Sequence, residues 1–146
     1  MWSDQEIGFW KEYLQAHHGL DGELERLDGE FDLNIAVRVD GRLDAVLKVM
    51  RVGCGSGLVG MQVEALDHLA ATMPDLPVPR VIRRHDGAAA AAVTDRSGDE
   101  RIAWVISAID GLPLGAMRPH PAALVHEIGH TLGRMTAGLE GFDHAA

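Results

Sequence analysis

A lysine and a glutamate that lie sixteen residues apart are the first side chains in this sequence that could do chemistry. Lys48 stands inside the apolar run 45–52, and Glu64 stands on the segment that follows it. A lysine in a buried strand costs free energy unless a carboxylate or an anionic ligand pairs with it. The pair therefore indicates either a strand-to-helix ion pair that holds the ammonium over phosphate oxygens, or an edge-strand lysine that reaches solvent.

A second group, His126-Glu127-Ile128-Gly129-His130, matches the zinc pattern H-E-x-x-H letter for letter. The spacing puts both imidazoles on one helical face, and Glu127 would act as general base toward a metal-bound water. Thr136 stands where the extended form of the pattern has its third histidine. A chain with eight histidines makes such a match weak, so a structural helix is the main interpretation and a zinc metallohydrolase the alternative. The remaining candidates for a third ligand are Glu140, Asp143 and His144.

The single cysteine, Cys54, lies in the glycine-rich segment 53–57. One cysteine excludes an internal disulfide and a cysteine-based zinc cluster, and it favours a reducing, cytoplasmic location. A glycine-rich turn ahead of a helix can hold an anion, but the lysine and hydroxyl residue of a phosphate-binding loop do not follow it. We interpret the segment as a connector.

The elements that must position these residues follow from hydrophobic period and turn signals. Ser3 with Glu6 predicts the start of a helix that ends near Gly19, and Asp40-Gly41 predicts a hairpin between two strands. The order predicts an α+β fold with an antiparallel sheet of about five strands and flanking helices. The predicted strands are 33–39, 45–52, 81–82, 89–94 and 101–109, and the later helices are 58–73 and 122–138.

Six parts of the chain carry, in order, a resemblance to a known family. They are LDGEFDLN at 27–34, AVLKV at 45–49, EALDHL at 64–69, LPVPRV at 76–81, WVISAIDG at 104–111, and the pieces 128–134 and 141–144. Together they resemble the N-terminal lobe of the aminoglycoside phosphotransferase and choline kinase-like superfamily, and most of all its hydroxylysine kinase-like branch. The fold that this resemblance implies is a protein-kinase-like N-terminal lobe.

The resemblance also implies a nucleotide site with ATP and magnesium as cofactors. Lys48 would hold phosphates, with Glu64 as its partner on the helix. Asp32 and Asn34 would belong to the loop over the nucleotide. The hinge residues that would bind adenine through backbone groups are Ser107, Ala108 and Ile109.

In that superfamily a second, helical lobe supplies the catalytic aspartate and asparagine and the aspartate that holds magnesium. None of the segments above resembles that lobe. We therefore expect a truncated small-molecule kinase module that binds a nucleotide or small ligand and does not transfer phosphate by itself. A repurposed, non-catalytic binding or interaction domain is a further alternative.

Composition limits the partners. The chain has 146 residues and a net charge of −9, which argues against a nucleic-acid or anionic-membrane surface. The sequence contains no run of about 18 apolar residues. We expect three parts: an N-terminal helix at 1–21, the lobe sheet and helix at 22–111, and a linker with a C-terminal helix at 112–146. We also expect a small-molecule ligand, and either a homodimer or a separate C-terminal-lobe partner that covers the exposed apolar face.

Overall fold

A computed structural model of the chain describes residues 2–109 and 111–145. The predicted hinge 104–111 includes Asp110, which lies outside the described residues. The elements run in the order α1 (Asp4–His18), β1 (Glu23–Leu27), β2 (Leu33–Val39), β3 (Arg42–Val49), α2 (Ser56–Thr72), β4 (Val81–Ile82), β5 (Ala90–Thr94), β6 (Glu100–Ser107) and α3 (Ala122–Gly138). A short 3-10 turn, Leu114–Ala116, precedes α3.

One antiparallel sheet organises the fold, with the strand order β1-β2-β3-β6-β4 and with β5 also paired to β6. The α+β architecture is as predicted, but the described residues form six strands. The strand that sequence reasoning missed is β1, whose sequence ELERL is mostly charged. Such a strand is stable at a sheet edge because its charged side chains reach water. Across the pair, Arg38 donates to Glu25 at 2.7 Å.

The hairpin between β2 and β3 forms at the predicted turn. Asp40 and Gly41 both adopt positive φ, 50° and 75°, which is the backbone conformation of a two-residue type I′ turn. The turn pairs Val39 with Arg42, and a β-bulge between Val37 and Arg38 then shifts the register by one residue, so that Asn34 lies opposite Lys48. The turn and the bulge together therefore decide which side chain faces the lysine.

The two faces of the sheet carry different layers. On one face, α1 packs Trp10 and Leu14 against a core that includes Leu47 and Val49. Because successive side chains of a strand alternate, Lys48 points to the opposite face. That face carries α2, where Val59 and Val63 pack with Met50 and Trp104. Lys48 and α2 are therefore on the same side of the sheet.

The third helix, α3, crosses the C-terminal half of α2. Thr72 donates to the carbonyl of Gly138 at 3.2 Å, and Arg134 donates to Asp75 at 2.6 Å. After α3 the chain turns back along α2, where the rings of Phe142 and His68 lie 5.5 Å apart. Gly138 is the only buried residue of α3.

Searching the described ranges for a helix long and apolar enough to cross a bilayer finds none.

Candidate functional site

Lys48 is half-buried on the α2 side of β3. Its Nζ donates to Oδ1 of Asn34 at 3.1 Å across the strand pair. Within the described ranges, no carboxylate lies within ion-pair distance of this ammonium. The amide oxygen of Asn34 accepts from one of the three N–H donors of the ammonium, and because it is neutral it leaves the positive charge uncompensated.

The loop at 28–32 is fixed against this lysine. Asp32 accepts a hydrogen bond from the backbone N–H of Arg51 at 2.9 Å, which ties the loop to the end of β3. Gly29 lies so close that a Cβ there would stand 2.6 Å from the carbonyl oxygen of Asp32 and 2.7 Å from Nδ2 of Asn34. Asn34 lies in β2, as the predicted strand 33–39 has it, although the resemblance assigns it to the loop over the nucleotide. Asn34 thus lies beside Gly29 of the loop and accepts a hydrogen bond from the lysine.

The predicted ion pair between Lys48 and Glu64 is absent from the described residues, so that prediction is wrong. Glu64 is exposed on α2, and its Oε1 lies 3.5 Å from Nε2 of His144. The tail after α3 returns to this part of α2, since Gly60 also lies near the ring of His144. Helix α2 does pack on the face of the sheet that carries Lys48. The carboxylate of Glu64, however, contacts His144 of the C-terminal tail and not the lysine.

The predicted hinge is engaged with the sheet. Ser107 donates its backbone N–H to Arg80 at 2.8 Å, and Ala108 donates its own to Asp44 at 2.9 Å. The hydroxyl of Ser107 accepts from the N–H of Arg80 at 2.8 Å. These two amides are therefore unable to donate to an adenine ring as the structure stands. The next residue, Ile109, is outside the strand and exposed.

Sequence reasoning missed Arg80 and Asp44, the partners of the hinge. Both act through backbone carbonyls or amides, and no residue type marks such a role. Pro79 favours extended backbone at Val78, just ahead of Arg80, but the identity of the hinge partner follows only from the pairing of β4 with β6.

The H-E-x-x-H residues lie on α3, and His126, Glu127 and His130 are exposed there. The third-ligand candidate His144 instead contacts Glu64. In the part of the chain that the structure describes, no three His, Cys, Asp or Glu residues come together as a metal site. The histidine pair is thus presented to solvent without a third ligand beside it.

A cavity of about 520 Å³ lies elsewhere, between α2, the connector after β3, and the strands β5 and β6. Its lining includes Arg51, Cys54 and Ala92, and none of the predicted nucleotide-site residues. Sequence patterns marked only the glycine-rich segment around Cys54, and interpreted it as a connector, because the lining residues come from three separated segments.

Comparison with solved structures identifies the fold of the chain. Neither a family model nor a curated protein matches the sequence. Among solved structures, the chain is similar to amicoumacin kinase hAmiN in complex with AMP-PNP, Ca2+ and Ami, with a TM-score of 0.72 and 13% identity. The match covers 99% of this chain and 42% of that one, so the chain spans less than half of the kinase's length. At this identity the likeness concerns the fold, and the chain has the fold of a kinase-like N-terminal lobe.

Proposed function

We propose that this chain is the nucleotide-binding lobe of a small-molecule phosphotransferase. The observation that carries the proposal is Lys48, a half-buried ammonium whose one side-chain partner in the described residues is the neutral amide of Asn34. A cation withdrawn from water without a counter-ion is stabilised when an anion binds beside it. The phosphates of a nucleotide supply that charge, and the similar kinase is described in complex with AMP-PNP.

The loop at 28–32 would close over those phosphates. Its position next to Lys48 is set by Asp32, which binds the N–H of Arg51, and by Gly29, which packs on Asn34. Because Gly29 has no Cβ, the loop backbone approaches the lysine side of the sheet closely. Successive backbone N–H groups of a turn are common donors to phosphate oxygens.

Adenine would lie beside Ser107, Ala108 and Ile109. The backbone amides of the first two are engaged by Arg80 and Asp44, so we assign the donor role to the N–H of Ile109. In this arrangement Ser107 and Ala108 position the strand end, and the exposed Ile109 contacts the base.

Magnesium would arrive with the nucleotide. The described residues bring no three metal-binding side chains together, and Glu64 is engaged by His144. The described residues therefore do not form a magnesium site of their own. A helical lobe, supplied by another chain or by a longer form of this one, would complete the cleft. A homodimer is the alternative source of a second cleft wall.

The test uses the small number of lysines in the chain, which are Lys11 and Lys48. An acyl-phosphate derivative of ATP transfers its acyl group to a lysine that lies against the bound phosphates. With magnesium present, we expect acylation of Lys48 that excess ATP prevents, mapped by mass spectrometry. Acylation of Lys11, which is exposed on α1 with its Nζ 3.5 Å from Asp21, should be insensitive to ATP.

Two variants complete this test. Lys48→Met should abolish ATP-sensitive labelling, while the matched control Lys11→Met should leave it intact. Calorimetry should give weak binding, on the order of millimolar or ~4 kcal/mol, because one wall of the cleft is missing. Equal labelling of both lysines, unaffected by ATP, would refute the nucleotide site. ATP turnover by this chain alone would refute the assignment of catalysis to a second lobe.

A further inference from the structure

The cavity of about 520 Å³ beside α2 has no role in the proposed nucleotide site, and its volume suits a small organic molecule. Val59 and Val63 of α2 form one wall, and Ala90, Ala92 and Ile102 of β5 and β6 form the floor. The row Lys48–Trp104–Ala90 crosses the sheet in register. Buried Trp104 therefore stands between the lysine and this cavity.

Small side chains keep the cavity open. Strand β5 reads AAAVT, and its alanines leave the volume that the valines and isoleucines usual in strands would fill. The result is an apolar groove between a helix and a sheet. An apolar lining of this kind takes the hydrocarbon part of a ligand.

Arg51 supplies a positive charge at the groove. Within the described ranges no carboxylate pairs with its guanidinium. Its backbone N–H is fixed by Asp32 at 2.9 Å, and its guanidinium stands 5.9 Å from the ring centre of Phe31. The backbone of Arg51 is thus fixed at the groove, and its exposed guanidinium has no carboxylate partner among the described residues.

The other charged lining residues contribute less. Arg101 is paired with Asp95 at 2.7 Å, so its charge is compensated. Glu100 is exposed, and no described contact orients its side chain. A guanidinium binds a carboxylate through two parallel hydrogen bonds. Arg51 is therefore the lining cation that is left to bind the carboxylate of a ligand.

We propose that this groove is a second binding site, which takes a small apolar carboxylate. The hydrocarbon part lies on Ala90, Ala92 and Val63, and the carboxylate pairs with Arg51. The site is separate from the nucleotide site, and its occupant contacts α2.

Cys54 gives a direct readout, because it lines the groove and is the one cysteine of the chain. The experiment measures the rate at which iodoacetamide, an uncharged reagent, alkylates Cys54 with and without 4-phenylbutanoate. We expect saturable protection by the acid. The neutral 4-phenylbutanamide should bind about tenfold more weakly, since a charge-assisted hydrogen bond is lost. No protection at millimolar acid, or equal protection by acid and amide, would overturn the proposal.

Variants separate the two parts of the ligand. Arg51→Gln should remove the preference for the acid over the amide. Each variant is compared with itself, as the ratio of the Cys54 alkylation rates with and without ligand, so a changed reactivity of the thiol does not affect the result. Ala92→Leu should fill the groove and abolish protection by both compounds. Ala92 is exposed, as is Ala88, which does not line the groove. Ala88→Leu is therefore the matched control, and unchanged protection in Ala92→Leu would contradict the site.

A further control distinguishes this site from the nucleotide site. Lys48→Met should leave protection of Cys54 by the acid unchanged, and ATP should not protect it. Loss of protection in Lys48→Met would mean that the two ligands share one site and would overturn the second site. Failure of ATP-sensitive labelling at Lys48 would leave this result untouched.

Discussion

At the residue scale, the partner of Lys48 is an amide rather than a carboxylate. Asn34 orients the ammonium through one hydrogen bond of 3.1 Å without cancelling its charge. Glu64 lies on the same side of the sheet and contacts His144 instead. The lysine is therefore positioned by a neutral group and keeps its full attraction for an anion. The same reasoning applies to Arg51, which is positioned by its backbone and by Phe31.

His18 makes the stability of the fold depend on pH. Burial lowers the pKa of His18 below its ordinary value, and the nearby Arg84 guanidinium lowers it further. The folded chain keeps this ring neutral, while the unfolded chain takes up a proton near pH ~6.5. Stability should therefore fall as pH drops below about 6.5, until the lowered folded pKa is reached.

Urea unfolding from about pH 7.5 to about pH 5 tests this dependence. The slope of unfolding free energy against pH should be smaller in His18→Gln than in the unchanged chain. His126→Gln replaces an exposed histidine and should preserve the slope. An identical slope in all three proteins would contradict the role of His18.

The exposed pair His126 and His130 should hold no stoichiometric zinc. The structure brings no third ligand beside them in the described residues, and two imidazoles on an exposed helix form an incomplete zinc site. Elemental analysis after expression with added zinc should give well under one zinc per chain. We expect His126→Ala and His130→Ala to leave the melting temperature unchanged. One zinc per chain, lost in either variant, would restore the metallohydrolase alternative.

At the scale of elements, the sheet positions its site through register, while α3 is attached at one close crossing. The hairpin turn at Asp40 and Gly41, together with the β-bulge between Val37 and Arg38, aligns Asn34 with Lys48. By contrast, α3 meets α2 where Gly138 lies against Leu69 and Met73, and most of its surface is exposed. The close packing of α3 on α2 therefore depends on the absence of a side chain at Gly138.

Gly138→Val should destabilise the fold by about 1–3 kcal/mol, because overpacking forces neighbours apart. A Cβ at this residue would lie 2.8 Å from Cγ of Met73 and 2.9 Å from Cδ2 of Leu69. Gly133 is on the same helix and has open space around it, so Gly133→Val is the matched control and should be close to neutral. Chemical denaturation compares the two, and equal effects would show that the crossing tolerates a side chain.

At the scale of the whole molecule, the linker and α3 present apolar side chains to solvent. Leu112 is 76% exposed, Val125 58% and Leu132 52%. Where such side chains form a contiguous apolar patch, they mark an interaction surface. In the proposed function, a second lobe or a second copy of the chain would cover it.

Leu112→Ser combined with Leu132→Ser should weaken self-association in sedimentation velocity, since less apolar surface is available for burial. Val52 is exposed to a similar extent, 53%, and lies in the connector after β3. Val52→Ser should leave association unchanged. If the double variant sediments like the unchanged chain at every concentration, these side chains do not mediate a homodimer, and the separate lobe becomes the expected partner.

The sequence by itself determined the hairpin, the helices and the α+β class, because turn residues, caps and hydrophobic period act over a few neighbours. Ser3 and Glu6 form the predicted capping box, and Gly19 ends α1 with a positive φ. Edge strand β1 was missed because three of its five residues are charged, so the sequence ELERL lacks the apolar, β-branched residues that indicate a strand. Only the tertiary structure decided the contacts between distant segments: that Asn34 rather than Glu64 meets Lys48, that Arg80 and Asp44 occupy the hinge amides, and that a groove opens beside α2. Such contacts depend on how the sheet and helices pack in three dimensions, and no local pattern of residues records that packing.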